Sequence, residues 1–287
     1  MKIGFIGTGV MGNAMAKNLI AAGYNLNVFN RTKSKTDNLV AAGATWYDNP
    51  KKVVAQSDVI FTMLGFPQDV EQVYFKENGI LTGNVDGKIL IDSTTSKPSL
   101  AQKIYKTGQN DGAKVLDAPV SGGDIGAKNG KLTIMVGGDK STFDQVKPIL
   151  DVMSAKANYF GDAGAGQNTK MANQIMIAGT MTGMTEMLVY AQAAGLDLQK
   201  VIDTVGSGSA ANWSLTNYAP RVLKNDYTPG FFSKHFLKDL RIALDSAKEM
   251  GIQLPATQEA KKLYENLVDD QKLGNLGTQG LIKLWWK

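Results

Sequence analysis

The sequence predicts an α/β first half followed by an all-α second half. Short apolar segments alternate with helical patterns up to about residue 160, and no convincing strand pattern follows Gly166. A long helical pattern, from about Gln167 to Ala194, begins the second half. Strand–helix alternation is typical of a mainly parallel sheet covered by helices on both faces. We therefore expect one domain at residues 1–163 and a second at residues 164–287.

The predicted strands are short apolar runs bounded by turn residues. They are Lys2–Ile6, Leu26–Phe29, Asp58–Leu64, Lys88–Ile91, Lys114–Leu116, Leu132–Val136 and Asn158–Phe160. The Ser121–Gly130 connection has no clear helical pattern, so the last two or three strands are expected to be antiparallel additions.

Helical patterns are predicted in both halves, and one of them differs from the others. They include Met11–Ala22, Pro67–Phe75, Leu198–Val205, Lys234–Met250, Ala256–Asp269 and Gly277–Trp286. The exception is the long pattern from Gln167 to Ala194, in which apolar residues occur almost all round. Such a helix is expected to be buried at a domain junction or in a dimer.

The composition narrows the class of protein. The 287 residues are 43% hydrophobic and 20% charged, which is typical of a globular chain. The net charge of +5 is scattered along the sequence, which argues against a nucleic-acid partner. The absence of cysteine excludes disulfides and thiolate catalysis, and a single histidine, His235, argues against a zinc site. We expect no metal.

The sequence also argues against a membrane partner. No apolar run reaches the ~18 residues that span a bilayer. Met1 leads directly into the first predicted strand, with no signal-peptide pattern before it. We therefore expect a soluble, cytoplasmic protein.

A glycine-rich turn lies between the first strand and the first helix. Its residues are Gly7, Thr8, Gly9, Val10, Met11 and Gly12. In a dinucleotide-binding Rossmann unit the first glycine allows a tight turn, the second lets the backbone approach a pyrophosphate, and the third lets helix and strand pack closely. The helix N-terminus then offers N–H groups to the phosphates. The alternative is an ordinary strand–turn–helix that needs glycines only for its geometry.

The residues after the second strand favour NADP over NAD. NAD-binding units place an Asp or Glu there to hold the ribose 2′-hydroxyl, but this chain has Asn30, Arg31 and Thr32. Arg31 can contact a 2′-phosphate, and Asn30 and Thr32 can donate hydrogen bonds to it. The alternative for Arg31 is a solvated surface arginine.

Two later segments suggest a site for a small carboxylate substrate. Ser121, Gly122 and Gly123 follow a strand, and one hydroxyl with two glycine N–H groups can cradle a carboxylate. Lys170 lies near the start of the long helix, where partial desolvation would lower the pKa of a lysine and suit it to proton transfer. Asn173 and Gln174 lie one turn further on and can hold a substrate hydroxyl or orient the amine. The alternatives are a loop bend, a lysine whose amine reaches solvent, and surface amides.

Four separated motifs together resemble the β-hydroxyacid dehydrogenase family, which includes 3-hydroxyisobutyrate dehydrogenases, tartronate semialdehyde reductases and glyoxylate/succinic semialdehyde reductases. They are Gly4–Gly12, Asp117–Gly123, the stretch from Gly164 through Lys170 to Asn173, and Lys238-Asp239-Leu240. The resemblance covers essentially the whole chain. It implies a Rossmann domain followed by an all-α domain of the 6-phosphogluconate-dehydrogenase-like type, assembled as homodimers or homotetramers.

The resemblance also implies a role for each matching residue. Lys170 would be the catalytic acid/base, and the Ser121 loop would bind the substrate carboxylate. Lys238 would reach the cofactor, Thr95 would contact the nicotinamide side, and Met63 and Leu64 would line the same pocket. The implied reaction is hydride transfer between NADP(H) and a short β-hydroxy acid or its semialdehyde.

One departure leaves the substrate subgroup open. Many members place the catalytic asparagine four residues after the lysine, whereas this chain has Asn173 at three and Gln174 at four. That pair resembles the tartronate semialdehyde reductase branch, while His235 before Lys238 resembles some semialdehyde reductases. Two other functions compete: a catalytically silent nucleotide-binding scaffold, and an imine reductase on a similar fold. The joint presence of Lys170, Ser121 and Lys238 argues against the scaffold, and imine reductases generally lack this lysine.

Overall fold

The computed structural model describes residues 1–286 and divides into two compact units. The first unit is Met1–Lys170, and the second begins at Met171. The units therefore divide inside the long helix, whereas the predicted domain boundary lies just before it. Among the described residues, no helix is both long and apolar enough to cross a membrane.

The first unit contains a nine-stranded sheet. Its strands are β1 (Lys2–Ile6), β2 (Asn25–Phe29), β3 (Thr45–Trp46), β4 (Val59–Thr62), β5 (Ile89–Asp92), β6 (Lys114–Asp117), β7 (Val120–Ser121), β8 (Leu132–Gly138) and β9 (Ser154–Tyr159). The order is β3-β2-β1-β4-β5-β6-β8-β7, with β9 paired to β8. Strands β1 to β6 are parallel in the order 3-2-1-4-5-6, which is the doubly wound Rossmann arrangement.

Helices cover both faces of this sheet. They are α1 (Val10–Ala21), α2 (Asp37–Ala41), α3 (Pro50–Ala55), α4 (Pro67–Phe75), α5 (Pro98–Asn110), α6 (Gly123–Lys128) and α7 (Lys140–Met153). Because side chains alternate along a strand, Ile3 and Phe5 of β1 join the core beneath α1 and α7, whereas Ile6 joins the core beneath α3, α4 and α5. The predicted α/β first half is confirmed.

The end of the sheet carries the antiparallel additions that the sequence suggested. β8 pairs antiparallel with β6, and β9 pairs parallel with β8, so both run against the six parallel strands. The Ser121–Gly130 connection, which has no clear helical pattern in the sequence, contains a short helix, because α6 fills most of it. The helix was not evident from the sequence because Gly122 and Gly123 precede most of it. Both glycines have positive φ, at 125° and 63°, and the turn they form interrupts any helical pattern.

The second unit is all-α, as expected. A 29-residue helix, α8 (Ala165–Ala193), crosses from the first unit into the second. The other helices are α9 (Leu198–Val205), α10 (Trp213–Leu223), α11 (Ser233–Glu249) and α12 (Pro255–Glu265), followed by a π-helical turn at Asn266–Asp270 and a 3₁₀ segment at Thr278–Leu284. The apolar sides of α8 and α10 share one core, and Phe236, Tyr264 and Leu281 form part of another.

Two features of the second unit differ from the prediction. Helix α10 was missed because it contains Pro220, which normally interrupts a helical pattern. The predicted C-terminal helix at Gly277–Trp286 is a shorter 3₁₀ segment. One face of α8 is exposed within the single chain, with Met176 68% and Tyr190 76% accessible to solvent, so its burial in a dimer stays a prediction.

Candidate functional site

The glycine turn has the geometry that a close strand–helix junction requires. Gly7 has a φ of +94°, and a Cβ built there would overlap the Met63 carbonyl oxygen and lie 2.8 Å from Leu64 Cδ2. A Cβ at Gly12 would overlap the Gly7 carbonyl oxygen and lie 3.0 Å from the Phe5 ring. Any larger residue at either position would force the strand, the turn and the helix apart.

The middle of the same turn is open instead. A Cβ at Gly9 would meet no atom of residues 1–286 within 4 Å. Gly9 caps α1, and within the described chain no side chain accepts a hydrogen bond from the first turn of that helix. Backbone N–H groups with no side-chain partner at a helix N-terminus form a ready phosphate site, so these residues fit a dinucleotide.

The loop after β2 is fastened to the glycine turn. The Thr8 N–H donates to Asn30 Oδ1 at 3.0 Å, and the Asn30 amide donates to the Thr32 carbonyl at 3.0 Å. The Thr8 hydroxyl donates to the Lys35 carbonyl at 3.0 Å. Asn30 and Thr8 therefore shape the loop from within, a role that sequence reasoning did not assign to them.

Arg31 is one of three exposed cations in this loop, together with Lys33 and Lys35. Its side chain is 85% exposed, and its Nη1 lies 3.3 Å from Oδ1 of Asp69 at the start of α4. Exposed ion pairs of this kind are weak, so Arg31 can exchange Asp69 for a phosphate at little cost. Asp69 was not anticipated, because it lies 38 residues away and only the fold brings it to the strand tip.

The residues predicted for the nicotinamide side meet at the carboxyl ends of β4 and β5. The Leu64 N–H donates to the Thr94 hydroxyl at 2.9 Å, which links the Met63–Leu64 segment to the loop that contains Thr95. Asp92 lies beneath this link, 3% exposed, and accepts hydrogen bonds from the Thr62 hydroxyl at 2.7 Å and the Thr94 N–H at 3.1 Å. Burial raises the pKa of Asp92 to about 6, and the nearby Asp117 adds to that rise.

The Ser121 loop stands at the end of β7. Ser121 is half-buried and pairs with Thr133 of β8, while Gly122 is exposed and is the N-cap residue of α6. A Cβ at Gly122 would make only an ordinary contact with Leu132, so glycine is needed there for its φ of +125° rather than for space. The exposed backbone beside a half-buried hydroxyl is compatible with the predicted carboxylate cradle.

Lys170 lies in the second turn of α8 and is only 6% exposed. Of the two alternatives for Lys170, this burial favours a partly desolvated amine over an amine that reaches solvent. One turn earlier, Gln167 is fully buried and links α8 to the loop after β5 and to the last residue of β6. Its side chain bonds the backbone of Thr94 and Ser96, and its own N–H donates to Asp117 Oδ2 at 2.8 Å.

The two carboxamides that follow have different surroundings. Gln174 is fully buried: its Oε1 accepts from Asn173 Nδ2 at 2.7 Å, and its Nε2 donates to Asp239 Oδ2 at 2.6 Å. Asp239 also lies 3.1 Å from the ammonium of Lys238. Asn173 is half-buried, so of the two amides it is the accessible one, while Gln174 holds it in place.

His235 belongs to the same helix as Lys238. Burial lowers the pKa of His235, and the nearby positive charges of Lys238 and Lys234 lower it further. Its ring packs edge-on against Phe232 at 5.8 Å. These features favour a neutral, structural histidine.

The first unit therefore brings most of the predicted residues to one edge of the sheet. The glycine turn, Arg31, Leu64 and Thr95 follow the carboxyl ends of parallel strands, and Gln167, one turn before Lys170, bonds to the Thr95 loop. This is the edge at which doubly wound sheets bind ligands. Lys238 and both carboxamides belong to the second unit, and the reach of Lys238 to a cofactor stays a prediction. Within residues 1–286, no three His, Asp or Glu side chains gather as a metal site.

The fold and this site define a dinucleotide-binding oxidoreductase. Two family models match the chain: the NAD binding domain of 6-phosphogluconate dehydrogenase at residues 2–161, and the NAD-binding domain of NADP-dependent 3-hydroxyisobutyrate dehydrogenase at residues 164–285. The chain belongs to the β-hydroxyacid dehydrogenase family, as its four motifs predicted.

Relatives with several activities are similar over nearly their whole length. The 2-hydroxy-3-oxopropionate reductase of Escherichia coli is 38% identical, with 92% of this chain and 90% of that protein covered. The NAD-dependent L-serine dehydrogenase of Pseudomonas aeruginosa is 36% identical, with 93% and 92% covered. The structure of Mycobacterium tuberculosis 3-hydroxyisobutyrate dehydrogenase with L-serine matches with a TM-score of 0.92 and 30% identity, covering 100% of this chain and 99% of that one.

Proposed function

We propose that this chain transfers hydride reversibly between NADP(H) and a short β-hydroxy acid or its semialdehyde. One observation carries the proposal. A buried lysine, Lys170, follows a helical turn that is bonded both to the Thr95 loop and to Asp117, the last residue of the strand before the Ser121 loop. The hydrogen bonds of this turn therefore link the segments that contain the predicted cofactor contact, Thr95, and the predicted acid/base, Lys170, to the strand that precedes the predicted substrate loop.

Each residue has a separate task in the proposed mechanism. The Ser121 hydroxyl and the Gly122 and Gly123 amides hold the substrate carboxylate. Lys170 protonates the oxygen as the carbonyl is reduced, and removes the hydroxyl proton in the reverse direction. Asn173 positions that oxygen, and Asn173→Ala tests this assignment through its kcat. The nicotinamide, when bound, supplies or accepts the hydride.

Steady-state kinetics over a small panel tests the reaction. We would measure NADPH and NADH oxidation with glyoxylate, succinic semialdehyde and tartronate semialdehyde, and the reverse reaction with 3-hydroxyisobutyrate and L-serine. We expect at least one compound to reach a kcat/KM of about 10⁴ M⁻¹s⁻¹ or more. NADPH binding without turnover of any panel member would instead favour the silent scaffold.

The cofactor preference is expected to depend on Arg31. Arg31→Ala should raise the KM for NADPH by roughly 10- to 100-fold, because a charge-assisted contact to the 2′-phosphate is lost. The KM for NADH should stay unchanged, because NADH has no such phosphate. Lys76→Ala, which removes an exposed lysine from the same unit, is the matched control. An equal effect on both cofactors, or a wild-type protein that prefers NADH, contradicts the NADP assignment.

We also propose that the chain assembles as a homo-oligomer through the exposed face of α8. Ala172, Met176, Gly179 and Gly183 are exposed at alternating spacings of four and three residues, the spacing of a helix–helix seam. A Cβ at either glycine would meet no described atom within 4 Å, so a second helix can approach closely. Between Ala172 and Gly183 this face has no charged residue, and such a surface is self-complementary when a second copy crosses it about a two-fold axis.

Gly183→Arg is expected to dissociate this assembly. A long charged side chain would stand in the middle of the seam and prevent close approach. Sedimentation velocity should show a mass of at least twice 30.8 kDa for the wild type and 30.8 kDa for the variant. Gln192→Arg, on the opposite side of the same helix, is the control and should remain assembled. A monomeric wild type, or a variant that remains assembled, rules out this interface.

A further inference from the structure

The side chain of Gln167 forms hydrogen bonds with the backbone on both sides of Thr95. Its Oε1 accepts the Ser96 N–H at 2.9 Å, and its Nε2 donates to the Thr94 carbonyl at 2.7 Å. Gln167 is fully buried, so neither backbone group can turn to water if the amide is removed. One side chain therefore sets the position of the loop that carries Thr95.

The backbone of Gln167 is held from the other side by Asp117. The Gly164 N–H donates to Asp117 Oδ1 at 2.7 Å, and the Gln167 N–H donates to Oδ2 at 2.8 Å. The Asp117 carboxylate thus binds the first turn of α8, where a negative charge also favours the helix dipole. Because Asp117 ends β6, this contact fixes α8 to the strand that comes directly before β7 and the Ser121 loop.

The contact leaves no room for movement. A Cβ at Gly166 would lie 2.7 Å from the Asp117 carbonyl oxygen, and one at Gly137 would lie 2.6 Å from Asp117 Oδ1. Close packing of this kind permits one arrangement of helix and strand rather than a range.

We propose that Gln167 is a positioning residue, which holds Lys170 and the Thr95 loop in one fixed arrangement without touching the substrate. This inference rests on the proposed function in one respect, the role of Lys170 in proton transfer. Lys170 lies three residues after Gln167, on the neighbouring turn of the same helix. A shift of about 1 Å between reacting groups can cost roughly 100-fold in rate, so loss of the anchor should affect turnover more than binding.

Gln167→Met removes both side-chain hydrogen bonds and nearly keeps the volume. We expect kcat with NADPH and the panel substrate that the wild type turns over to fall by roughly 10- to 100-fold. The dissociation constant of NADPH, followed by its fluorescence, should change less than about threefold, because the glycine turn and Arg31 are untouched.

Gln167→Glu tests the inference through the pH dependence of kcat, which a merely structural role of Gln167 would not change. A protonated glutamic acid can accept from Ser96 and donate to Thr94 as the amide does, whereas the carboxylate places an oxygen against the Thr94 carbonyl. The ratio of variant to wild-type kcat should therefore rise at least fivefold between pH 8 and pH 5.5. The ratio is used because ionisations common to both proteins cancel in it, including that of Asp117, which accepts the Gln167 N–H.

Asn27→Asp is the matched control, since Asn27 is another buried amide of the first unit, whose Nδ2 donates to the Gln56 carbonyl at 2.7 Å. We expect it to lower the melting temperature while leaving kcat and its pH profile unchanged. Equal kcat values for Gln167→Met and the wild type, or a pH-independent Gln167→Glu ratio, would overturn the inference.

Amide hydrogen exchange separates failure of this inference from failure of the proposed function. The Ser96 N–H should exchange faster in Gln167→Met than in the wild type, whether or not the chain turns over any panel substrate. Faster exchange without wild-type turnover would refute the proposed reaction and support the anchor. Unchanged exchange at Ser96 would refute the anchor even in an active enzyme.

Discussion

Lys170→Met is expected to lower kcat by roughly 10³-fold while leaving NADPH binding intact. General acid–base groups contribute about 10²- to 10⁴-fold, and methionine has no proton to transfer. Lys170 is 6% exposed, so an unbranched apolar side chain fits its surroundings better than a shorter or polar one. The fall should therefore report lost chemistry rather than a damaged fold. Single-turnover oxidation of bound NADPH measures it directly.

Lys88→Met is the matched control for this substitution. Lys88 is another lysine of the first unit, half-buried rather than buried, and its ammonium donates to the Ser57 carbonyl at 2.6 Å. It precedes β5 and so lies at the amino edge of the parallel strands, away from the glycine turn. We expect reduced stability and unchanged kcat. Near-normal kcat in Lys170→Met would refute the acid/base assignment.

Much of the first unit was predictable because its signals are local. Strand β1 and helix α4 have the predicted bounds, since each is a continuous pattern that ends at a turn residue or proline. Two-residue strands such as β3 and β7 are too short to produce any period. Their existence depends on neighbouring strands that offer free backbone groups.

The candidate site likewise has features that the sequence predicts locally and features that depend on residues far apart in the chain. The roles of Gly7 and Gly12 were evident from the sequence, because a strand–turn–helix junction is made by adjacent residues. Gln167 and Asp92 were missed, since their partners are reached only through the fold: Ser96 is 71 residues from Gln167, and Thr62 is 30 residues from Asp92. The observable signal was a polar residue in an otherwise apolar segment, as Asp92 is at the end of Ile89–Asp92.

Asp92→Asn is expected to stabilise the first unit above pH 6 and to remove a pH dependence of its unfolding. Burial raises the pKa of Asp92 to about 6, roughly two units above that of an unfolded aspartate. The native carboxyl therefore binds its proton more tightly than the unfolded one. Its contribution to the free energy of unfolding is largest below about pH 4 and is lost as the pH rises to about 6. A shift of about two pKa units corresponds to a loss of about 3 kcal/mol.

Asparagine can replace this aspartate because its partners are adaptable. The Thr62 hydroxyl and the Thr94 N–H both donate to Asp92 Oδ1, and asparagine keeps an oxygen for both of them. The Thr94 hydroxyl also bonds Asp92, and a hydroxyl can accept from an amide nitrogen as well as donate. Asp117 is the contrasting case, because its oxygens accept from two backbone N–H groups, which can only donate. Asp117→Asn would place an N–H₂ group against one of them and should destabilise the protein at every pH.

Urea unfolding of both variants and the wild type between pH 4 and pH 8 measures these effects. The difference in unfolding free energy between Asp92→Asn and the wild type should grow by about 1–3 kcal/mol across the window, since solvent relaxation reduces the full linkage value. The Asp117→Asn difference should be unfavourable throughout, because a buried donor facing a donor costs about 1–3 kcal/mol. A pH-independent Asp92→Asn difference would mean that the native carboxyl titrates as it does in the unfolded chain. In that case the link between β4 and the Thr95 loop holds an ionised carboxylate throughout the pH range.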